Sequence, residues 1–304
     1  MRDAFIRELE VQARLEPRVF LLTGDLGFGV VEEFSREFPN QFLNAGVAEQ
    51  NMMGLAAGLA DSGMLPFVYS IANFPTFRCL EQIRNDVCYP ELPVTIVSIG
   101  AGLAYGSLGY SHHAVEDLSV MRSLPGMRVI SPCDPNEVKA AVRFILNDPA
   151  PTYLRLGKNG EPSLQITERT TLGGTCTLRE GSGLLILTTG AISNDVLRMV
   201  SRSTKPAIMS AQVVSIPIVK PMDLSLINYD EFDHIVSVEE HSIVGGLNSA
   251  IYEYLRDRNE SRRILAIGLE DAIRHYAGSA EHLKLKSHLD REGMETQILK
   301  FISG

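Results

Sequence analysis

The sequence has no apolar run of membrane-spanning length, and no apolar leader core follows Met1-Arg2-Asp3-Ala4-Phe5. It is therefore expected to be neither membrane-bound nor exported. Its four cysteines, Cys79, Cys88, Cys133 and Cys176, form no CxxC pair and no metal-ligand spacing. They read as reduced, buried thiols of a cytoplasmic protein, and no metal site is assigned to this chain. Positive charge is in deficit, with 28 Lys and Arg against 37 Asp and Glu and a net charge of -9. That balance argues against nucleic acid as a partner but leaves room for a local basic pocket. Internal repeats and low-complexity tracts are missing too.

What is present is an ordinary globular composition. The 304 residues, 45% hydrophobic and 21% charged, suffice for two domains. Buried-type strands at 18–23 (RVFLLT), 65–70 (LPFVYS), 93–98 (PVTIVS) and 152–156 (TYLRL) alternate with helical spacing at 3–15, 47–60, 78–87 and 136–146. This alternation predicts an α/β chain with a mainly parallel, doubly wound sheet. Asp134-Pro135 is a helix start signal. Residues 159–182 have little periodicity and several Gly, so they read as a linker between a first domain at 1–158 and a smaller α/β domain at 183–304. In the second domain, strands are expected at 183–187, 206–210 and 234–238, with helices near 193–201 and 290–302.

The chemistry concentrates in residues 41–61, QFLNAGVAEQNMMGLAAGLAD. A short strand leads through Gly46 into a helix whose first turn carries Glu49. A carboxylate there suits the helix dipole, which alone would explain it. The run Asn44-Ala45-Gly46-Val47-Ala48-Glu49-Gln50-Asn51-Met52-Met53-Gly54 resembles the segment that opens the pyrimidine-binding domain of transketolases. The resemblance covers roughly residues 1–250. It extends to Gly24-Asp25-Leu26, to Lys220-Pro221-Met222-Asp223 and to the run from Glu239 through Gly246.

The resemblance implies thiamine diphosphate as cofactor. Its Glu, here Glu49, would bind the aminopyrimidine ring and so make the cofactor its own base. An aromatic of the loop after the 65–70 strand would stack on that ring; Phe74 is the choice, with Tyr69 also a candidate, and Asp25 would organise the neighbouring loop. The Gly-rich stretch 100–117, GAGLAYGSLGYSHHAVED, matches a family loop that ends in a His pair, here His112 and His113. His112 is the implied acid/base or carbonyl-polarising residue, and His113 a substrate contact. Lys158 would bind a substrate phosphate. Two departures stand out. Gly100 replaces a substrate-facing His, and Ser107-Leu108 replaces a Glu-Asp pair that reads a sugar hydroxyl. They imply an altered substrate. His241 is assigned a structural role.

The chain shows no G-D-G metal-diphosphate motif. It is thus expected to be one subunit of a split enzyme. A separate N-terminal-type subunit would hold the diphosphate and its Mg2+ or Ca2+, and two copies of each chain would form an α2β2 assembly. The implied activity is transfer of a two-carbon ketol unit from a ketose, of sugar or sugar-phosphate type, to an aldehyde. The alternatives are a subunit of a 2-oxo acid decarboxylase, a subunit of a deoxyxylulose-phosphate-synthase-like enzyme, or a non-catalytic scaffold. A dinucleotide site at residues 24–29 is disfavoured by the residues that follow.

Overall fold

The computed structural model describes residues 1–164 and 171–304. Its strands, in chain order, are β1 (Val19–Thr23), β2 (Phe42–Asn44), β3 (Leu65–Ile71), β4 (Thr95–Ile99), β5 (Arg128–Ile130), β6 (Thr152–Leu156), β7 (Cys176–Arg179), β8 (Gly183–Thr188), β9 (Gln212–Ser215), β10 (Ile218–Lys220), β11 (Phe232–Ser242) and β12 (Ile264–Leu269). They form two sheets. The first has seven strands in the order β10-β5-β6-β4-β3-β1-β2, and the second has five in the order β12-β11-β8-β9-β7.

In the first sheet every pairing is parallel except β10 with β5. β4 and β6 are buried along their whole length, as a parallel sheet covered on both faces requires. One face packs on helices Arg2–Leu15 and Pro135–Asn147 through Phe5, Leu9, Val138 and Val142. The other packs on helix Glu49–Asp61 through Met52, Met53 and Ala56, together with Ile83 and Met121. Helix Pro135–Asn147 starts as its sequence signal predicts: the Asp134 carboxylate caps the Glu137 amide and Pro135 fills the first turn. The second sheet is parallel apart from β7 and is likewise sandwiched between helices.

Three local expectations are corrected. The helix read over 78–87 is a 3-10 turn, one α turn and a π segment, Ile83–Cys88. The wider π turn lets Ile83, Val87 and Cys88 all face the core. The strand read at 206–210 is instead a short helix, Pro206–Met209, because Pro206 presets the first helical φ. The strand follows it as β9, where Val213 and Val214 pair with β8. The segment read wholly as linker, 159–182, contains β7, an edge strand with too little burial to show an apolar period. All four cysteines are buried, and among the described residues none forms a disulfide. Among the described residues no helix is long and apolar enough to cross a membrane.

Candidate functional site

The order of strands in the first sheet sets the order of the site. Open parallel sheets present ligand-binding loops at their carboxyl ends. Along that edge, β6 leads to Lys158, β4 to the loop 100–117, β3 to Asn73, Phe74 and Arg78, β1 to Asp25, and β2 to Glu49.

Asp25 and Asn44 build the turn that launches Glu49. Asp25 holds φ at 55°. Its amide donates to Asn44 Oδ1 at 2.9 Å, Asn44 Nδ2 donates to its carboxylate at 3.2 Å, and the Gly46 amide donates to the same Asn44 Oδ1 at 3.0 Å. Gly46 sits at φ 71°, which only glycine adopts without strain. Glu49 then opens its helix at the dipole-favoured end.

Among the described residues the Glu49 carboxylate has one cationic partner. Arg78 Nη1 donates to Glu49 Oε1 at 2.6 Å, and the Arg78 guanidinium lies 4.1 Å from the Phe74 ring centroid. Gln50 Nε2 donates to the Arg78 carbonyl at 2.9 Å, tying this strip to the helix. The Glu49 side chain is 12% exposed against 52% for Arg78, so the carboxylate is the fixed member of the pair.

Phe74 meets the His112 ring edge-on at 5.2 Å, and His112 meets Tyr105 at 6.5 Å. Lys158 Nζ lies 5.0 Å from the Tyr105 ring centroid. Glu49, Phe74, His112 and Lys158 are thus joined in one line through Arg78 and Tyr105. The His pair splits: His112 is half-exposed, with Ser111 Oγ at 3.0 Å from Nδ1, whereas His113 is buried. Its Nε2 lies 3.3 Å from the Gly106 carbonyl, and its own carbonyl accepts from Asn73 Nδ2 at 2.7 Å. Tyr69 is also buried; it packs on Phe5 with ring centroids 6.3 Å apart, inside the core beneath the edge. Burial pushes its phenol well above the usual range.

A cleft of about 440 Å³ lies along Asn73, Phe74, Arg78, Tyr110, Ser111 and His113. Among the described residues Asn73 Oδ1 and His113 Nδ1 are buried there without a hydrogen-bond partner. Such orphaned polar atoms beside an open cleft suit a ligand that supplies the missing bonds.

Sequence reasoning missed what holds the loop 100–117. Its base is closed by reciprocal Gly102–Ala114 backbone bonds of 2.9 Å. Two side chains grip that base. Glu240 of β11 accepts from the Leu103 amide at 2.6 Å, and Arg155 of β6 donates to the Ala114 carbonyl at 2.9 Å and to the Glu240 carbonyl at 3.1 Å. Lys284 pairs with Glu240 at 2.9 Å and Asp195 at 2.7 Å. The second domain therefore anchors the loop that carries His112. The signal was available: Glu239-Glu240-His241 lies in an apolar strand, where buried charges must be partnered. His241 is structural. Its Nδ1 lies 2.7 Å from the Ser242 carbonyl, and burial pushes its pKa down to about 4, so it is neutral at pH 7.

Glu240→Ala is expected to cost about 1–3 kcal/mol, since the buried Leu103 amide loses its acceptor. Urea unfolding checks this; a midpoint equal to the parent's would contradict the anchoring.

A family model described as the transketolase pyrimidine-binding domain matches residues 1–161, and one for the transketolase C-terminal domain matches residues 173–288. A putative transketolase C-terminal section from Methanocaldococcus jannaschii is 37% identical, over 99% of this chain and 95% of its own length. One subunit of an apulose-4-phosphate transketolase from Phocaeicola vulgatus is 32% identical, over 99% of this chain and 97% of its own length. A solved structure described as a split-gene transketolase, an inactive beta4 tetramer, superposes with a TM-score of 0.86 at 32% identity, covering 98% of this chain and 96% of that one.

Proposed function

The chain belongs to the transketolase family, and from that premise we propose that it is the pyrimidine-binding subunit of a split transketolase. In this reading it transfers a two-carbon ketol unit from a ketose, of phosphorylated type, to an aldehyde. Two similar proteins, one named as a C-terminal section and the other as a single subunit of its enzyme, are matched over nearly their whole lengths and support the split arrangement. We assign the diphosphate and its divalent cation, Mg2+ or Ca2+, to the partner subunit, in an assembly with two copies of each chain. The four buried thiols, none in a disulfide among the described residues, suit a reducing, cytoplasmic compartment.

One observation carries the proposal. Arg78 already makes the two contacts an aminopyrimidine would need, a donated hydrogen bond to Glu49 and a flat face over Phe74. The site therefore fits thiamine diphosphate: Glu49 offers a carboxyl to the ring nitrogen N1′, and Phe74 offers a stacking face. The unpartnered Asn73 Oδ1 and His113 Nδ1 lie in the adjoining cleft. When bound, the cofactor supplies the nucleophilic carbon that carries the transferred unit. Glu49 holds a proton at N1′. His112 presents its imidazole to the substrate oxygen, oriented by Ser111. Lys158 offers a positive charge to the substrate's anionic end. Val47 and Phe28, 74% and 77% exposed beside Glu49 and Asp25 in sequence, are apolar surface that a partner subunit would cover.

The test is transfer of label from a 1-13C ketose phosphate to an aldehyde, followed by NMR, with this chain, a diphosphate-binding chain, or both. A new labelled ketose only in the mixture supports the proposal. Carbon dioxide release from a 2-oxo acid without ketol transfer would instead indicate a decarboxylase subunit.

Arg78 must leave the carboxylate and ring it covers before the cofactor can bind. Arg78→Ala is expected to tighten thiamine diphosphate binding to the assembled enzyme severalfold, the worth of one exposed ion pair plus one cation–π contact. Weaker binding, measured by calorimetry, would show that Arg78 supports the cofactor instead.

A further inference from the structure

A cavity of about 210 Å³ opens in the helical layer of the second domain. Its walls are helix Ser193–Arg202, helix Ala280–Lys286 and the first turn of helix Arg291–Ser303. Met199 and Leu289, both 0% exposed, form its apolar floor. It shares no lining residue with the cleft beside Phe74.

Positive charge at this cavity is placed against local preference. Arg198 and Arg202 stand one turn apart on one helix face, where like charges repel. Asp195, three residues before Arg198, does not relieve them, because it pairs with Lys284 at 2.7 Å. Arg291 opens its helix, at the end where the dipole disfavours a cation. Among the described residues none of these three guanidiniums has a carboxylate partner or donates a hydrogen bond. Two further carboxylates line the opening. Glu281 is bound by its own amide and by Ser279, and those bonds hold its pKa below the ordinary 4.5. Asp290 takes no capping bond from the helix it precedes. Three unpaired guanidiniums and one open carboxylate thus line one opening over an apolar floor.

We propose that this cavity is a binding site for a small hydroxylated organic anion. Its phosphate or carboxylate groups take the Arg198, Arg202 and Arg291 guanidiniums, whose forks match both groups bidentately. Its hydroxyl donates to Asp290, and its carbon body covers Met199 and Leu289.

The cavity wall is also the seat of the loop 100–117. Lys284 bridges Asp195 to Glu240, the residue that holds the Leu103 amide. On the same helix Leu283 fills the space beside Gly106, where a β-carbon would stand 2.5 Å from its Cδ1. The Gly278 amide donates to the Gly106 carbonyl at 3.2 Å. Leu103 and Leu283 share one buried apolar cluster with Met199 and Leu289. A ligand that ties the three helices together therefore steadies the loop that carries His112.

Calorimetry of this chain with 3-phosphoglycerate, glycerol 3-phosphate, glycerate and inorganic phosphate tests the site. Glycerol 3-phosphate and glycerate carry one kind of anionic group each and show which kind the guanidiniums hold. 3-Phosphoglycerate is expected to bind at millimolar concentration or below, more tightly than inorganic phosphate. Arg198→Gln combined with Arg202→Gln should weaken it about tenfold or more, as for loss of hydrogen bonds to a charged group. Lys158→Gln should leave it unchanged. The double variant should unfold in urea at a midpoint no lower than the parent's, since its arginines hold nothing in the fold. Binding should slow hydrogen exchange over residues 100–117 in the parent, measured by mass spectrometry.

No binding of any of these anions would overturn the site, as would inorganic phosphate binding as tightly as 3-phosphoglycerate. So would binding that is lost in Lys158→Gln and kept in the double variant. A lower urea midpoint for the double variant would give the arginines a folding role and overturn it too. Exchange unchanged with ligand bound would overturn the link to the loop. None of these readouts needs turnover, so their failure leaves the functional reading standing.

Discussion

Glu49→Ala is expected to lower turnover of the assembled enzyme on the order of a hundredfold or more, the usual size of a lost acid/base contribution. Its surroundings suit that proposed role. The Gly46 turn and the Asn44–Asp25 bonds fix where its helix begins. The carboxylate then points at a cation lying on an aromatic face, so its charge is already matched to a flat donor. Its contribution to folding is small by comparison, because the Arg78 half of the ion pair is 52% exposed and such pairs add about 0–1 kcal/mol. Glu49→Gln keeps the shape, loses the proton, and is expected to fail similarly. Steady-state kinetics with a parallel unfolding curve check both variants. Near-normal turnover in a folded Glu49→Ala complex would remove Glu49 from the mechanism.

The largest effect on stability is expected at Arg155. Arg155→Met should cost about 3–5 kcal/mol, because it strands a buried charge. Asp117 is 0% exposed and Arg155 2%, with Nε 2.7 Å from Oδ2, and the Tyr153 hydroxyl donates to the same oxygen at 2.6 Å. Arg155 also satisfies the Ala114 and Glu240 carbonyls, so its loss removes one of the two grips on the loop base and leaves the Glu240–Leu103 bond. Burial alone would raise the Asp117 pKa, but the Arg155 charge, His241 and the hydrogen bonds hold it below the ordinary 3.8. A depressed carboxyl binds its proton more weakly in the folded chain than in the unfolded one. Its stabilisation is therefore complete above pH 3.8 and is lost as pH falls below that value. In Arg155→Met the sign reverses, and Asp117 should destabilise the fold near neutral pH. The double variant Arg155→Met with Asp117→Leu should recover much of the loss, which keeps the test readable if the single variant does not fold. A single variant as stable as the parent would contradict the buried pair.

Legibility followed the range of the interactions. The Glu49 turn could be read because Gly46, the helix formers behind it and the neighbouring motif are contiguous. The positions of Phe74 and His112 along the same sheet edge could be read too, since a loop that follows a buried strand carries each. Tyr69, two residues from the end of β3, could not be sorted from them by sequence. Strand alternation sends it into the core beside Phe5. Arg78 read as an ordinary helical arginine, because its meaning depends on Glu49, 29 positions earlier. Arg155 and Glu240 act across 85 positions, and no local pattern records which loop they hold. The same limit hid β10, which leaves the second domain's stretch of sequence to pair antiparallel with β5 at the edge of the first sheet.

The most direct measurement is calorimetric titration of thiamine diphosphate with Mg2+ into this chain alone, and then into its mixture with a diphosphate-binding chain of the same family. A split enzyme whose site Glu49 completes should bind tightly only in the mixture, and Glu49→Ala should weaken that binding. Tight binding by this chain alone would contradict the shared site, and no binding in either case would contradict the subunit reading altogether.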